Sequence, residues 1–191
     1  MIRKKAKLKD APDLSRRRLI VAGATVSGTL LLGIPITAFP VGDTLADGGG
    51  RIGFYINVLE DGDVIVGHAQ PEIGQGLRTT LVMLVAEEMD LAWEQIRIEP
   101  MPLGIVKTAE GYTWKYGGQG VGGSTGLTNN WTYMREVGAT ARLMLMHAAA
   151  QLWNVPLASC DTRPGIVICE SAGKQATYGE LGRLASGLPL P

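Results

Sequence analysis

The stretch His68-Ala69-Gln70-Pro71-Glu72-Ile73-Gly74-Gln75-Gly76-Leu77-Arg78-Thr79-Thr80 joins two kinds of periodicity. Upstream, Ile52 to Val58 and Val64 to Ala69 read as strands, paired around Glu60-Asp61-Gly62-Asp63 as an Asp-Gly hairpin turn. Downstream, Leu77, Leu81, Leu84 and Val85 share one face at helical spacing, which predicts a helix over 79–91. Between them, Gly74 and Gly76 allow positive φ and close backbone approach to a ligand. A helix start just beyond presents free N–H groups and the positive end of a dipole, a combination suited to phosphate. A second run, Gly117-Gly118-Gln119-Gly120-Val121-Gly122-Gly123-Ser124-Thr125-Gly126, stands in the same relation to a long helix predicted from about Asn129 to Trp153. Two such turns point to a cofactor that carries phosphates. Neither is a phosphate-loop signature, since no Gly-Lys-Ser/Thr follows, and neither reads Gly-x-Gly-x-x-Gly after a strand. The competing reading makes the first turn a tight strand-to-helix connection and the second a flexible linker.

Outward from these turns the fold class is α+β: a small mixed or antiparallel sheet with two packed helices. Glu88 falls on the apolar face of the first helix, where a carboxylate is more often paired with Arg or a backbone donor than functional. Trp93 to Glu99 reads as a turn and strand stopped by Pro100 and Pro102, and 101–127 as a long irregular glycine-rich segment. Val137, Ala141, Leu145, Ala148 and Leu152 form the stripe of the long helix, which Val155-Pro156 ends. Gly165 to Glu170 reads as a strand, and Thr177 as the cap of a short helix from Tyr178 to Ser186.

The chain of 191 residues is 46% hydrophobic, enough for one domain with a real core or one domain plus a tail. Its 18 basic and 18 acidic residues give no support to a nucleic-acid partner. The two cysteines, Cys160 and Cys169, exclude a four-cysteine iron–sulfur cluster within this chain. With His68 and His147 they match no common zinc spacing, so no metal ligand is assigned. Free, separately packed thiols are expected, with a bridge as the alternative if they lie on adjacent strands of an exported protein. Both histidines read as packed side chains.

Charge is unevenly placed. Residues 1–18 hold Arg3, Lys4, Lys5, Lys7, Lys9, Arg16, Arg17 and Arg18 against Asp10 and Asp13. The uncharged stretch 19–39 that follows is 21 residues long, enough to cross a bilayer of roughly 30 Å. Arginines before a mildly apolar segment predict a twin-arginine signal, a route that exports proteins already folded. Residues 1–46 are thus a signal helix or membrane anchor, inserted through 19–39, and 47–191 the domain, with Asp47-Gly48-Gly49-Gly50 as linker. Periplasmic location follows as an expectation.

Several of these segments together resemble the molybdenum hydroxylases, the xanthine dehydrogenase and aldehyde oxidase superfamily, in particular the molybdopterin-binding large subunit of the isoquinoline 1-oxidoreductase or membrane-bound aldehyde dehydrogenase type. The resemblance is carried by Asp61 to His68, by Pro71-Glu72-Ile73-Gly74-Gln75-Gly76 and Thr80 to Met89, by Gly122-Gly123-Ser124-Thr125-Gly126, and by Trp131, Arg135, Gly138, Ala139, Ala141, Arg142, Met144 and Ala148 to Pro156. It implies a molybdenum–molybdopterin cofactor, often as the cytosine dinucleotide, and hydroxylation of an aldehyde or N-heteroaromatic carbon with oxygen from water. It implies a small partner subunit with two [2Fe-2S] clusters, and often a cytochrome c. Carried over, the pyrophosphate contacts are Gly74, Gln75 and Gly76, then Gly123, Ser124 and Thr125. The family's catalytic base is a glutamate in a Gly-x-Gly-Glu context, and no residue here matches it, so no catalytic residue is assigned. The expectation is an N-terminal fragment, a truncated product or one piece of a split subunit, inactive without the remainder of the large subunit. A membrane-anchored binding or assembly module without catalysis is the alternative.

Overall fold

The structure, a computed structural model, describes residues 49–191; the expected signal helix lies outside them. They form an α+β arrangement of three helices and three small sheets. Strands β1 (Gly50–Ile52), β2 (Ile56–Val58), β3 (Val64–His68) and β4 (Ile96–Pro100) make a mixed sheet in that order, with β1 to β3 antiparallel and β4 parallel to β3. Helix α1 (Leu77–Met89) is the crossover between β3 and β4. A hairpin of β5 (Ile105–Thr108) and β6 (Gly111–Trp114) precedes the long helix α2 (Gly126–Trp153). Strands β7 (Asp161–Arg163), β8 (Ile166–Cys169) and β9 (Lys174–Thr177) form an antiparallel sheet, and α3 (Tyr178–Ser186) closes the order.

Three expectations need correction. Ile52 to Val58 is not one strand: Gly53, at φ 62°, turns the chain so that β1 folds back on β2. Gly50 is not linker but the start of β1, where a Cβ would stand 1.7 Å from the Gly182 carbonyl oxygen, so α3 lies directly on the strand. The segment 101–127 is not irregular throughout. Val106 and Thr108 face away from Ile105 and Lys107, and Ala109-Glu110 supplies the turn of β5–β6, with Gly111 at φ 133° opening β6.

The core lies between the mixed sheet and the helices. Val58, Val64 and Val66 form one buried cluster with Leu81, Val82, Val85 and Met89 of α1 and Ala141, Leu145 and Ala148 of α2, and Val58 meets α3 at Gly182. The expected stripe of α2 holds at Ala141, Leu145 and Ala148, whereas Leu152 is exposed and the next residue, Trp153, packs on the core instead. Tyr178, fully buried at the first position of α3, donates its hydroxyl to the Met89 carbonyl at 2.5 Å and so ties the last helix to the end of α1. Thr177 caps the helix as the sequence predicted, and Glu180 completes a reciprocal capping box with it.

Helices α1 and α2 run side by side in the same direction. Leu77 meets Gly126 at their starts, and Val85 and Glu88 meet Gly138 further along. A Cβ on Gly138 would stand 2.8 Å from the Val85 carbonyl oxygen and from the Glu88 Cβ, so glycine is what permits this separation. Glu88 forms an ion pair with Arg135 across the seam, the structural role expected of it. Half-exposed pairs of this kind contribute up to about 1 kcal/mol, so the close packing dominates. Replacing Gly138 with Val overpacks the seam and is expected to cost about 1–3 kcal/mol, read from urea unfolding. A variant as stable as the parent would show that the helices separate freely.

Candidate functional site

Because α1 and α2 are parallel and in contact at Leu77 and Gly126, both glycine turns emerge at the same end of the molecule. The two groups of predicted residues, Gly74, Gln75 and Gly76 with Gly123, Ser124 and Thr125, therefore flank one surface. Gln70, just before the first turn, donates its side-chain amide to the Gly118 carbonyl at 2.5 Å and anchors the second glycine run. Gln119 accepts from the Gly104 N–H at 2.6 Å and donates to the Pro102 carbonyl at 3.0 Å, fixing the same run against the approach to β5. So the second segment is held by two glutamine side chains rather than being a free linker.

The first turn holds an anion of its own. The Glu72 carboxylate accepts from Gly74 N–H at 2.8 Å and Gly76 N–H at 3.1 Å through Oε1, and from Arg78 N–H at 3.0 Å through Oε2. Gly74 and Gly76, at φ 95° and 76°, aim these donors inward. The Arg78 N–H, then those of Gly76 and Gly74, and the Arg78 charge hold the Glu72 carboxyl below the usual carboxylate range. The Gln75 amide works within the turn, accepting from Ile73 N–H at 2.7 Å and donating to the Pro71 carbonyl at 3.0 Å. The start of α1 is thus a formed cradle for negative charge, and Glu72 is its internal occupant. Sequence reasoning left Glu72 aside; a carboxylate two residues before a Gly-x-Gly turn was the available signal.

The start of α2 is different. Gly123 and Ser124 both adopt φ 57°, a conformation that a serine rarely takes. Thr125 makes no side-chain cap; its hydroxyl donates back to the Gly122 carbonyl at 3.2 Å. The first N–H groups of a helix have no intrahelical acceptor, so α2 presents an open donor set beside the filled one of α1. Gly123, Ser124 and Thr125 are all exposed. An anionic group can be met by the open start of α2, with the Glu72-filled turn of α1 beside it.

His68 ends β3 beneath the first turn, 5% exposed. Its Nδ1 faces the Gln70 carbonyl at 3.0 Å, and its Nε2 is buried without a partner among the described residues. Burial pushes its pKa below the ordinary histidine value despite the Gln70 carbonyl, so it is a neutral packed ring, in keeping with the sequence reading. Among the described residues no group of His, Cys, Asp or Glu has metal-ligating geometry, and no helix is long and apolar enough to cross a membrane.

The Glu72 arrangement has a pH signature. A carboxyl whose pKa falls on folding adds stability above its unfolded value, and loses it as pH falls through the folded value. The melting temperature of Glu72→Gln is expected to lie below that of the parent at pH 7 and to converge on it as pH falls below the ordinary carboxylate range. A pH-independent difference would contradict the charge-based role.

The model of the molybdopterin cofactor-binding domain matches residues 7–190. The chain is 32% identical over 174 residues to isoquinoline 1-oxidoreductase subunit beta of Brevundimonas diminuta, covering 88% of this chain and 22% of that protein. It is 27% identical over 185 residues to a membrane-bound aldehyde dehydrogenase of Gluconacetobacter polyoxogenes, covering 95% of this chain and 22% of that protein. Reconstituted CO dehydrogenase from Oligotropha carboxidovorans shares the fold, with a TM-score of 0.51 at 21% identity over 67% of this chain and 15% of that one. The chain thus spans 22% of the length of both curated relatives. With this match over nearly all of its length, the chain belongs to the molybdopterin cofactor-binding domain family of the molybdenum hydroxylases.

Proposed function

We propose that this chain holds the pyrophosphate of a molybdenum–molybdopterin cofactor, as its cytosine dinucleotide, within a hydroxylase of aldehydes or N-heteroaromatic compounds. The observation that carries the reading is the pairing of two parallel helix starts, one braced by Glu72 and one open. When bound, the cofactor supplies the redox centre at which oxygen from water is passed to the substrate carbon. The chain's own residues do the holding. Backbone N–H groups of Gly123 and Ser124 and the Ser124 hydroxyl donate to phosphoryl oxygens, helped by the positive end of α2, while Thr125, whose N–H and hydroxyl both turn to the Gly122 carbonyl, shapes the loop. Gly74, Gln75 and Gly76 form the opposite wall, with the Gln75 amide keeping the turn in shape. No residue matches the family's Gly-x-Gly-Glu base. Turnover therefore needs the remainder of the large subunit, and electron exit needs a small [2Fe-2S] subunit and then a cytochrome c.

Two tests follow. The chain is reconstituted with the remainder of a large subunit, and molybdenum content is measured. A side-chain hydrogen bond to a charged group is worth roughly 1.5–3 kcal/mol, so Ser124→Ala is expected to weaken cofactor retention by about tenfold or more. Gln75→Ala is expected to lower it as well, with circular dichroism unchanged. Full molybdenum occupancy in both variants would reduce the two turns to connections, and oxidation of aldehydes by the chain alone would contradict the missing base.

The second concerns location. We place the chain in the periplasm, exported by the twin-arginine route and associated with the membrane through residues 19–39. Replacing Arg16, Arg17 and Arg18 with Lys is expected to retain the protein in the cytoplasm; unchanged export would refute this.

A further inference from the structure

We propose that Cys160 and Cys169 are a cross-strand dithiol that closes to an intramolecular disulfide when the folded chain meets a disulfide-bearing oxidant. The ladder of β7 and β8 pairs Asp161 with Ile168, Thr162 with Val167 and Arg163 with Ile166. One step further along the same register Cys160 stands opposite Cys169. Directly opposed residues of an antiparallel pair have Cα atoms about 4.5–5.5 Å apart, inside the roughly 4.4–6.8 Å that a disulfide spans. Opposed residues also put their side chains on one face of the sheet. The two thiols influence each other there: Cys169, by charge and hydrogen bonding, adds to the upward push on the Cys160 thiol. Both are free and both belong to the buried core. They are not separately packed, as the sequence had led us to expect, but packed against each other.

The pair is chemically unequal. The Cys169 sulfur contacts the Ser159 hydroxyl at 3.5 Å and the Ser171 hydroxyl at 3.3 Å. The Ser171 hydroxyl and the backbone N–H groups of Ala172 and Ser171 favour its thiolate, while burial and the neighbouring Cys169 disfavour that of Cys160; the Ser159 hydroxyl, whose own proton goes to the Pro156 carbonyl at 2.7 Å, accepts from the Cys169 thiol. Cys169 is thus the attacking sulfur and Cys160 the resolving one. Its cover is thin: the turn Glu170–Ala172 over it is exposed along its length, so a local opening gives access. The Cys169 thiolate attacks one sulfur of the oxidant, forming a mixed disulfide and releasing a thiol. Cys160 then gives up its proton and attacks the Cys169 sulfur, releasing the second thiol. The chain loses two hydrogens and two electrons, and the oxidant's disulfide is reduced to two thiols. The bond joins the exit of α2, through the turn Leu157–Ser159, to the last sheet, at the opposite end of α2 from the glycine turns. It is therefore independent of the cofactor reading.

The full chain, well below its melting temperature, is treated with oxidised glutathione, then quenched in acid, unfolded, alkylated with maleimide and weighed intact. The expected product is a monomer without maleimide, which takes up two after reduction. Cys160→Ser is expected to trap glutathione on Cys169, and the oxidised parent to melt higher than the reduced one, a shift absent from the double Ser variant. Two maleimides on the oxidant-treated parent, or a bond formed only between chains, would overturn the proposal.

Discussion

The close approach of α1 and α2 at Gly138 is the constraint on which the rest of the structure depends. A helix pair this near tolerates no Cβ at that position, since the opposing surface is the Val85 backbone and the Glu88 Cβ rather than a flexible tip. Because the helices are parallel, the same contact brings Leu77 and Gly126 together and sets both glycine turns at one end. The β3–α1–β4 crossover sets the direction of α1 against the sheet, and the second glycine run returns the chain to the same end for the start of α2. The sheet, the seam and the two turns are therefore one geometric statement.

Electrostatics gives the two starts different roles. Partial positive charge accumulates where helix N–H groups lack acceptors. At α1 that charge is met by Glu72 through three backbone hydrogen bonds, with Arg78 adding its own charge beside it. At α2 no side chain among the described residues performs the same service. A protein that needed only to end two helices neatly had capping residues available, as Thr177 and Glu180 show at α3. The contrast between a filled and an open start, a few residues apart in space, gives the pyrophosphate reading its physical basis.

Much of this was legible in the sequence. The strand–turn–helix passage from Val64 to Met89 shows its periods openly, and so does α2, where small and apolar residues recur at helical spacing. Glu88 and His68 were readable as structural because an ionisable group on an apolar face needs a partner or neutrality, and the structure supplies Arg135 in one case and burial in the other. Other features were not legible. The fold-back at Gly53 hides within a run of apolar residues that alternate well enough for one strand. Strands β7 and β9 are short, polar and mostly exposed, so no hydrophobic period marks them. The role of Glu72 depends on three backbone donors whose direction is fixed only once Gly74 and Gly76 take positive φ. The side-chain bonds of Gln70 and Gln119 to distant carbonyls and N–H groups are tertiary facts without a local signature.

The central claim is that the two glycine turns act as one anion-binding surface. Its most direct test is a titration of the ¹⁵N-labelled full chain with inorganic pyrophosphate, following backbone amide resonances. The amides of Gly123, Ser124, Thr125 and Gly126 are expected to shift together with those of Gly74, Gln75 and Gly76, along a single saturation curve. Shifts confined to one turn, or curves with different midpoints, would contradict the claim.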